Sequence, residues 1–173
     1  MLAASVNPVL VFTWGNPARG DDGLGPALFE LLEEQQLAGR LPGVDLLTDY
    51  QLQVEHALDL QGRERVLFVD ASVSARAPYE LYPLRAEHDA SFTTHAMSPA
   101  AVLAVYEQIN RQVPPPAFLL SIRGYAFGLG EELSSRGRAN LLDSHALVRN
   151  LLTATPAADW EQHVTQAGVP ADA

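Results

Sequence analysis

Short apolar runs bounded by turn residues recur along the chain and predict the strands of a sheet. The run from Arg65 to Ala71 is almost continuously apolar, which is typical of a strand covered on both faces. The run from Tyr79 to Leu84 alternates and contains Pro83, so it predicts an edge strand. The five predicted strands are Val9–Trp14, Val44–Thr48, Arg65–Ala71, Tyr79–Leu84 and Ala117–Arg123.

The stretches between these runs have the spacing of helices. Leu24–Leu37 places leucines on one side and glutamates on the other. Ser98 followed by Pro99 indicates a helix start, with serine as the N-cap and proline at the first helical position. The predicted helices are Leu24–Leu37, the short Val54–Leu60, one from Ser98 to about Gln112, and one within Leu133–Leu152.

The alternation of strands and helices predicts an α/β fold: a mostly parallel, twisted sheet with helices on both faces. Residues 1–153 are long enough for one domain with a single core. From residue 154 the sequence turns to Ala, Pro and Gly with few apolar residues. We therefore expect residues 154–173 to form a flexible C-terminal tail.

Composition excludes several classes of chemistry. The 173 residues include 11 basic residues, all arginine, against 21 acidic ones, and there is no cysteine. Without lysine there is no Schiff-base enzyme and no Walker-type phosphate loop. Without cysteine there is no thiol nucleophile, disulfide, iron–sulfur cluster or thiolate zinc site. The net charge of −10 also disfavours nucleic acid as a partner, because binding to phosphates depends on basic residues.

The N-terminal segment Met1–Val6 has no basic residue and leads directly into the first predicted strand, unlike a secretory signal. No apolar stretch approaches the roughly 18 to 20 residues that a membrane span needs. We therefore expect a cytoplasmic protein that does not contact membranes.

Three polar segments are predicted to meet at the edge of the sheet where the parallel strands end. A glycine-rich loop at positions 15–25 carries Asp21 and Asp22, Asp70 ends the third predicted strand, and His95 lies just before the helix that follows. In α/β sheets, sites form beyond the carboxyl ends of the strands. Two carboxylates and an imidazole there would suit a borderline divalent ion and leave coordination positions open.

Each of these residues could also have a purely structural role. Asp21 and Asp22 could stabilise the following helix as cap and first-turn acid, a contribution of about 0.5–2 kcal/mol for a cap. Asp70 could cap a turn. Arg19 could clamp a substrate carboxylate or pair with Asp21 or Asp22.

Two other catalytic interpretations are disfavoured. The glycine loop lacks the dinucleotide fingerprint, and two adjacent carboxylates would repel a pyrophosphate. A triad of Ser98, His95 and Asp70 would use a serine that already serves as a helix cap, and no nucleophile elbow is present.

The segments Gly15–Pro26, Val69–Ala71 and Thr94–Pro99 resemble those of the [NiFe]-hydrogenase maturation endopeptidases. The resemblance extends over roughly Val9 to Leu152, in the order and spacing of that family. It implies a three-layer α/β/α sandwich around a five-stranded sheet. It also implies a peptidase that removes the C-terminal extension of a hydrogenase large-subunit precursor after nickel has been inserted.

Carried over to this sequence, the metal-contacting and catalytic residues are Asp22, Asp70 and His95. The resemblance implies that nickel belongs to the substrate and acts as the recognition signal, and other divalent ions can substitute. The segment Ile122–Glu131 is similar to that of members serving soluble, cofactor-reducing hydrogenases, or it is a Gly-rich loop whose aromatics pack locally.

Two other functions use the same residues. One is a non-catalytic, metal-dependent checkpoint that binds the precursor and releases it once loaded. The other is a conventional metallohydrolase with its own tightly held ion. Which group acts as the general base for water attack stays open at this point.

Overall fold

The computed structural model describes residues 5–88, 97–153 and 157–165, and it contains the predicted strands and helices. The segment Val54–Leu60 is a 3₁₀ rather than an α-helix, and Gly20–Gly23 forms a further 3₁₀ turn. The strands are β1 (Val9–Trp14), β2 (Val44–Asp49), β3 (Arg65–Ser72), β4 (Tyr79–Leu84) and β5 (Ala117–Arg123). The α-helices are α1 (Leu24–Leu37), α2 (Pro99–Asn110) and α3 (Ser135–Thr153).

The five strands form one mixed sheet in the order β2-β1-β3-β5-β4. The pairs β1–β2, β1–β3 and β3–β5 are parallel, and β4 runs antiparallel to β5. The predicted α/β class and the edge position of Tyr79–Leu84 are therefore confirmed. Proline is tolerated in β4 because an edge strand does not need every N–H for the ladder.

Apolar cores lie on both faces of the sheet, so the molecule has three layers. Alternate side chains of a strand point to opposite faces. Val11 of β1 belongs to the core formed with α1 and α3. Its neighbour Phe12 belongs to the core formed with α2 and the 3₁₀ helix Val54–Leu60. Both Val11 and Phe12 are almost fully buried, as expected for a central parallel strand.

The register of β1 and β3 determines where the polar segments meet. Thr13 is opposite Val69, so the chain leaves β1 beside the end of β3 where Asp70 lies. The loop after β1 and the residues at the end of β3 therefore occupy the same edge of the sheet. This is the edge at which binding sites of open α/β sheets form.

Part of the segment expected to be a flexible tail packs against the sheet. Trp160 is fully buried, its indole N–H donates to the Leu151 carbonyl at 2.9 Å, and its ring meets Phe118 edge-on. Thr165 donates its N–H to the Leu81 carbonyl and accepts from the Leu81 N–H through Oγ1, both at 2.9 Å. Residues 157–165 thus cover the outer edge of β4, while 154–156 and 166–173 lie outside the described residues.

Within the described ranges, no helix combines the length and the apolar character that crossing a bilayer requires.

Replacing Trp160 by Ala is expected to lower the free energy of unfolding by about 3–5 kcal/mol, because it leaves a large cavity. Urea denaturation measures the change. Leu37→Ala, at a position 83% exposed, is the control and should change stability by less than about 0.5 kcal/mol. Equal stabilities of the two variants would mean that residues 157–165 do not contribute to the core.

Candidate active site

The glycine-rich loop after β1 folds back tightly on itself. Gly15 has φ of 144°, and a β-carbon there would lie 2.0 Å from the carbonyl oxygen of Asp22. A β-carbon on Gly25 would lie 2.4 Å from the carbonyl oxygen of Trp14, so α1 begins directly against the end of β1. Glycine at these two positions is required for the loop to bring Asp22 to the end of the strand.

Asp22 is half-buried within this loop. Its Oδ2 accepts a hydrogen bond of 2.7 Å from the N–H of Asn16. The N-cap of α1 is Gly23, and no side chain caps either α1 or the 3₁₀ turn Gly20–Gly23. Asp22 therefore stabilises the loop by this one backbone contact, not as a helix N-cap.

Asp21 points away from the loop and is fully buried. Its Oδ2 accepts from the N–H groups of Tyr125 and Ala126 at 2.7 and 3.2 Å and from the Ser134 hydroxyl at 2.6 Å. Its Oδ1 accepts from the Ser134 N–H at 2.8 Å. One carboxylate thus joins the glycine loop to residues 124–134, which follow β5.

These four hydrogen bonds determine the charge of Asp21. Burial opposes ionisation, but the bonds from Ser134, Tyr125 and Ala126 together outweigh it and hold the pKa of the Asp21 carboxyl below its usual value. Both of its oxygens accept hydrogen bonds within the protein. Asp21 is therefore a structural anion rather than a metal ligand or a base.

Asp70 is in the opposite electrostatic situation. Burial at the end of β3, together with the nearby Asp22 carboxylate, raises the pKa of its carboxyl to about 7. The N–H of Ala71 and the side chain of Trp14 partly offset this by hydrogen bonding. Asp70 thus lies near enough to Asp22 for the two charges to interact, and their joint role in a site stays a prediction. A carboxyl that titrates near neutral pH is a candidate for proton transfer.

The third predicted residue, His95, lies outside the described residues, so its place beside Asp22 and Asp70 stays a prediction. Among the residues that the structure describes, no three His, Asp or Glu side chains form a metal-binding group. The described part of the site is a pair of carboxylates.

The N-cap role of Ser98 is confirmed. Its Oγ accepts from the Ala101 N–H at 3.1 Å, and Pro99 begins α2. Because its hydroxyl oxygen caps α2, Ser98 stays disfavoured as the nucleophile of a triad.

Two other described histidines, His56 and His88, make local contacts. His56 accepts from the Gln53 N–H through Nδ1 at 2.8 Å, and its Nε2 lies 3.1 Å from Asp49 Oδ2. His88 lies 2.7 Å from Glu107.

Arg19 makes no ion pair with Asp21 or Asp22, because Asp21 is bound by residues after β5 and Asp22 by Asn16. Of the two roles that the sequence allows for Arg19, the substrate clamp is therefore the one still open.

Ser134 is a residue of this site that the sequence does not reveal. No local pattern marks a serine 113 positions away as the partner of Asp21.

Asp21→Asn is expected to lower the free energy of unfolding by about 2–4 kcal/mol, because an amide cannot accept all four buried hydrogen bonds. Asp22→Asn should change it by less than about 1 kcal/mol, since it retains an acceptor for Asn16. Chemical denaturation of the two variants measures both effects. Equal losses would contradict the division of roles between the paired aspartates.

Asp70→Asn is expected to make the stability less dependent on pH. The unfolded carboxyl has a pKa near 3.8 and the folded one near 7, so wild type loses stability relative to the variant as pH rises between these values. This pH-dependent loss in the free energy of unfolding, relative to the variant, should approach about 4 kcal/mol above pH 7, because each pKa unit corresponds to about 1.4 kcal/mol. Thermal or urea unfolding from pH 4 to 8 measures it.

Asp45→Asn is the control for this experiment. Burial opposes ionisation of Asp45, but hydrogen bonds from Arg63 and Asn7 outweigh it and lower the pKa of the carboxyl. The ionised Asp45 carboxylate therefore stabilises the fold above pH 4, and this stabilisation is lost on acidification. Asp45→Asn should accordingly be less stable than wild type at neutral pH. A flat pH profile for the Asp70→Asn difference would contradict the assignment.

No family model and no curated protein matches the sequence. Solved structures do match. The [NiFe] hydrogenase maturation protease HycI from Thermococcus kodakarensis KOD1 has a TM-score of 0.63 and 20% identity, over 84% of this chain and 92% of that one. The hydrogenase maturating endopeptidase HybD from E. coli has a TM-score of 0.62 and 20% identity, over 90% and 94%.

The hydrogenase 2 maturation peptidase from Thaumarchaeota archaeon SCGC_AB-539-E09 has a TM-score of 0.58 and 25% identity, over 83% of this chain and 97% of that one. These matches span nearly the full length of the solved proteins. The resemblance of the sequence to the [NiFe]-hydrogenase maturation endopeptidases is therefore confirmed in three dimensions, and the chain has the fold of these proteases.

Proposed function

We propose that this protein is an endopeptidase that removes the C-terminal extension of a [NiFe]-hydrogenase large-subunit precursor after nickel insertion. The observation that carries the proposal is the pKa of Asp70, raised to about 7, at the end of β3 beside the loop after β1 that contains Asp22. A fold shared with solved hydrogenase maturation proteases supports it.

In this proposal, nickel is part of the substrate and identifies a loaded precursor. Asp22, Asp70 and His95 contact it, since carboxylate oxygens and an imidazole nitrogen suit a borderline divalent ion. Other divalent ions of similar preference can substitute. Three protein ligands leave coordination positions for the groups of the precursor that already hold the metal.

The chemical step is hydrolysis of one peptide bond. Water adds to the scissile carbonyl carbon, the C–N bond breaks, and the new amine takes up a proton. A carboxylate of the Asp22–Asp70 pair accepts the proton from the attacking water. Burial of Asp70 beside a second carboxylate is the arrangement by which proteins bring an acid into the range for such a transfer.

The partner is the large-subunit precursor. A cytoplasmic location belongs to the same proposal.

Incubation with nickel-loaded and nickel-free precursor, followed by intact-mass measurement, tests the proposal. We expect loss of one C-terminal peptide from the loaded form only. Asp22→Asn, Asp70→Asn and His95→Ala should each reduce cleavage by at least about 100-fold, the range of a lost acid–base group. His88→Ala, which removes an exposed histidine bound to Glu107, is the matched control and should cleave normally.

Three results would contradict the proposal in different ways. A precursor that is bound but left intact would indicate the checkpoint function. Equal cleavage of both forms would remove nickel as the signal. Full activity of His95→Ala would remove this histidine from the mechanism.

A further inference from the structure

Two arginine side chains lie on one aromatic ring beside the candidate active site. The guanidinium carbon of Arg136 is 3.8 Å from the centre of the Tyr125 ring, and that of Arg123 is 5.2 Å away. The Tyr125 hydroxyl accepts from Asn140 Nδ2 at 3.1 Å, and its N–H is bound by Asp21 at 2.7 Å. Hydrogen bonds at the hydroxyl and the backbone N–H thus fix Tyr125, and its ring contacts both cations.

Within the part of the chain that the structure describes, neither charge is balanced by a carboxylate. No Asp or Glu oxygen of the described residues lies within 4.0 Å of either guanidinium. Arg123 donates Nε to the Gly124 carbonyl at 3.2 Å and Nη1 to the Ala75 carbonyl at 2.9 Å, which are neutral acceptors. Asp21 lies close by in the same network, but its oxygens are occupied by Tyr125, Ala126 and Ser134.

Two like charges on one ring, without a counter-ion, favour an anionic ligand. The planar guanidinium of arginine matches a carboxylate in geometry and binds it through paired hydrogen bonds. Arg136 is exposed at the start of α3, so its N–H groups can reach a ligand. The excess of positive charge is local, because the chain as a whole has a net charge of −10.

The pair of arginines is connected to the carboxylates of the candidate site. Tyr125 is hydrogen-bonded to Asp21, and Asp21 precedes Asp22 in the glycine loop. Arg123 ends β5 opposite Ser72, two residues beyond Asp70 on β3, so the pair lies at the same edge of the sheet as Asp70. Arg123 and Tyr125 belong to Ile122–Glu131, the segment whose sequence indicates either a similarity to members serving soluble hydrogenases or a Gly-rich loop with locally packed aromatics.

We propose that Arg123, Tyr125 and Arg136 form a carboxylate-binding site for the segment of the precursor that is cleaved. Its ligand is either an acidic side chain of that segment or the C-terminal carboxylate. The inference rests on the proposed function for the nature of the substrate. Arg136 supplies the exposed hydrogen-bond donors, and Arg123, held by two carbonyls, supplies a fixed positive charge.

Steady-state cleavage of a nickel-loaded precursor by Arg136→Gln tests the site. We expect KM to rise by about 10-fold with kcat nearly unchanged, because the lost contact is to a part of the substrate that does not react. Arg138→Gln is the matched control: its side chain is 59% exposed on the same helix, and among the described residues its one ion pair is at 4.0 Å, with Glu132. This control should retain the wild-type KM.

Changes in the substrate identify the source of the carboxylate. Neutralising the acidic residues of the extension, or extending its C-terminus by two glycines to move the terminal carboxylate, should raise KM for wild type in one arm only. The substrate change that raises KM for wild type should not raise it further for Arg136→Gln. If neither change raises KM for wild type, the proposed ligand is wrong.

Binding of a fluorescent peptide with the sequence of the extension, followed by anisotropy, separates this inference from the proposed function. Weaker binding by Arg136→Gln than by Arg138→Gln would support the site even if no precursor is cleaved. Normal cleavage with equal KM values for wild type, Arg136→Gln and Arg138→Gln would overturn the site and leave the peptidase assignment intact.

Discussion

The buried carboxylate of Asp21 is the interaction on which the candidate site depends. Taking a charge out of water is costly unless hydrogen bonds replace hydration. Here four donors from residues 125–134 do so, and they come from the segment after β5, more than 100 positions along the chain. The same carboxylate therefore fixes two loops at once. It sets the position of Asp22 on one loop and of Tyr125 on the other.

Three carboxyl groups within one edge of the sheet have three different roles because their surroundings differ. Asp21 is surrounded by N–H and O–H donors and stays ionised. Asp70 is buried, receives less hydrogen bonding and lies near Asp22, so its pKa rises toward neutrality. Asp22 is half-buried and accepts one backbone hydrogen bond. Pairs of acids whose environments move their pKa values apart are typical of sites that transfer protons.

The sequence predicts what depends on local periodicity and on general rules of α/β topology. Apolar runs identify the strands, Pro83 places β4 at an edge, and the position of Asp22 and Asp70 after parallel strands brings them together. The partners of Asp21 and the burial of Trp160 depend instead on contacts between distant segments. Neither leaves a periodic pattern in the chain. A single tryptophan among Ala, Pro and polar residues gives no sign that it fills a gap beside Phe118.

The most direct test of this account is the titration of individual aspartate carboxyls by NMR, with carbon-13-labelled aspartate and assignment from the Asp21, Asp22 and Asp70 asparagine variants. The account predicts that Asp70 titrates with a pKa of about 7 and that Asp21 titrates below the ordinary value of 3.8. An Asp70 pKa near 3.8, or an Asp21 pKa above it, would contradict the division of roles from which the proposed site is built.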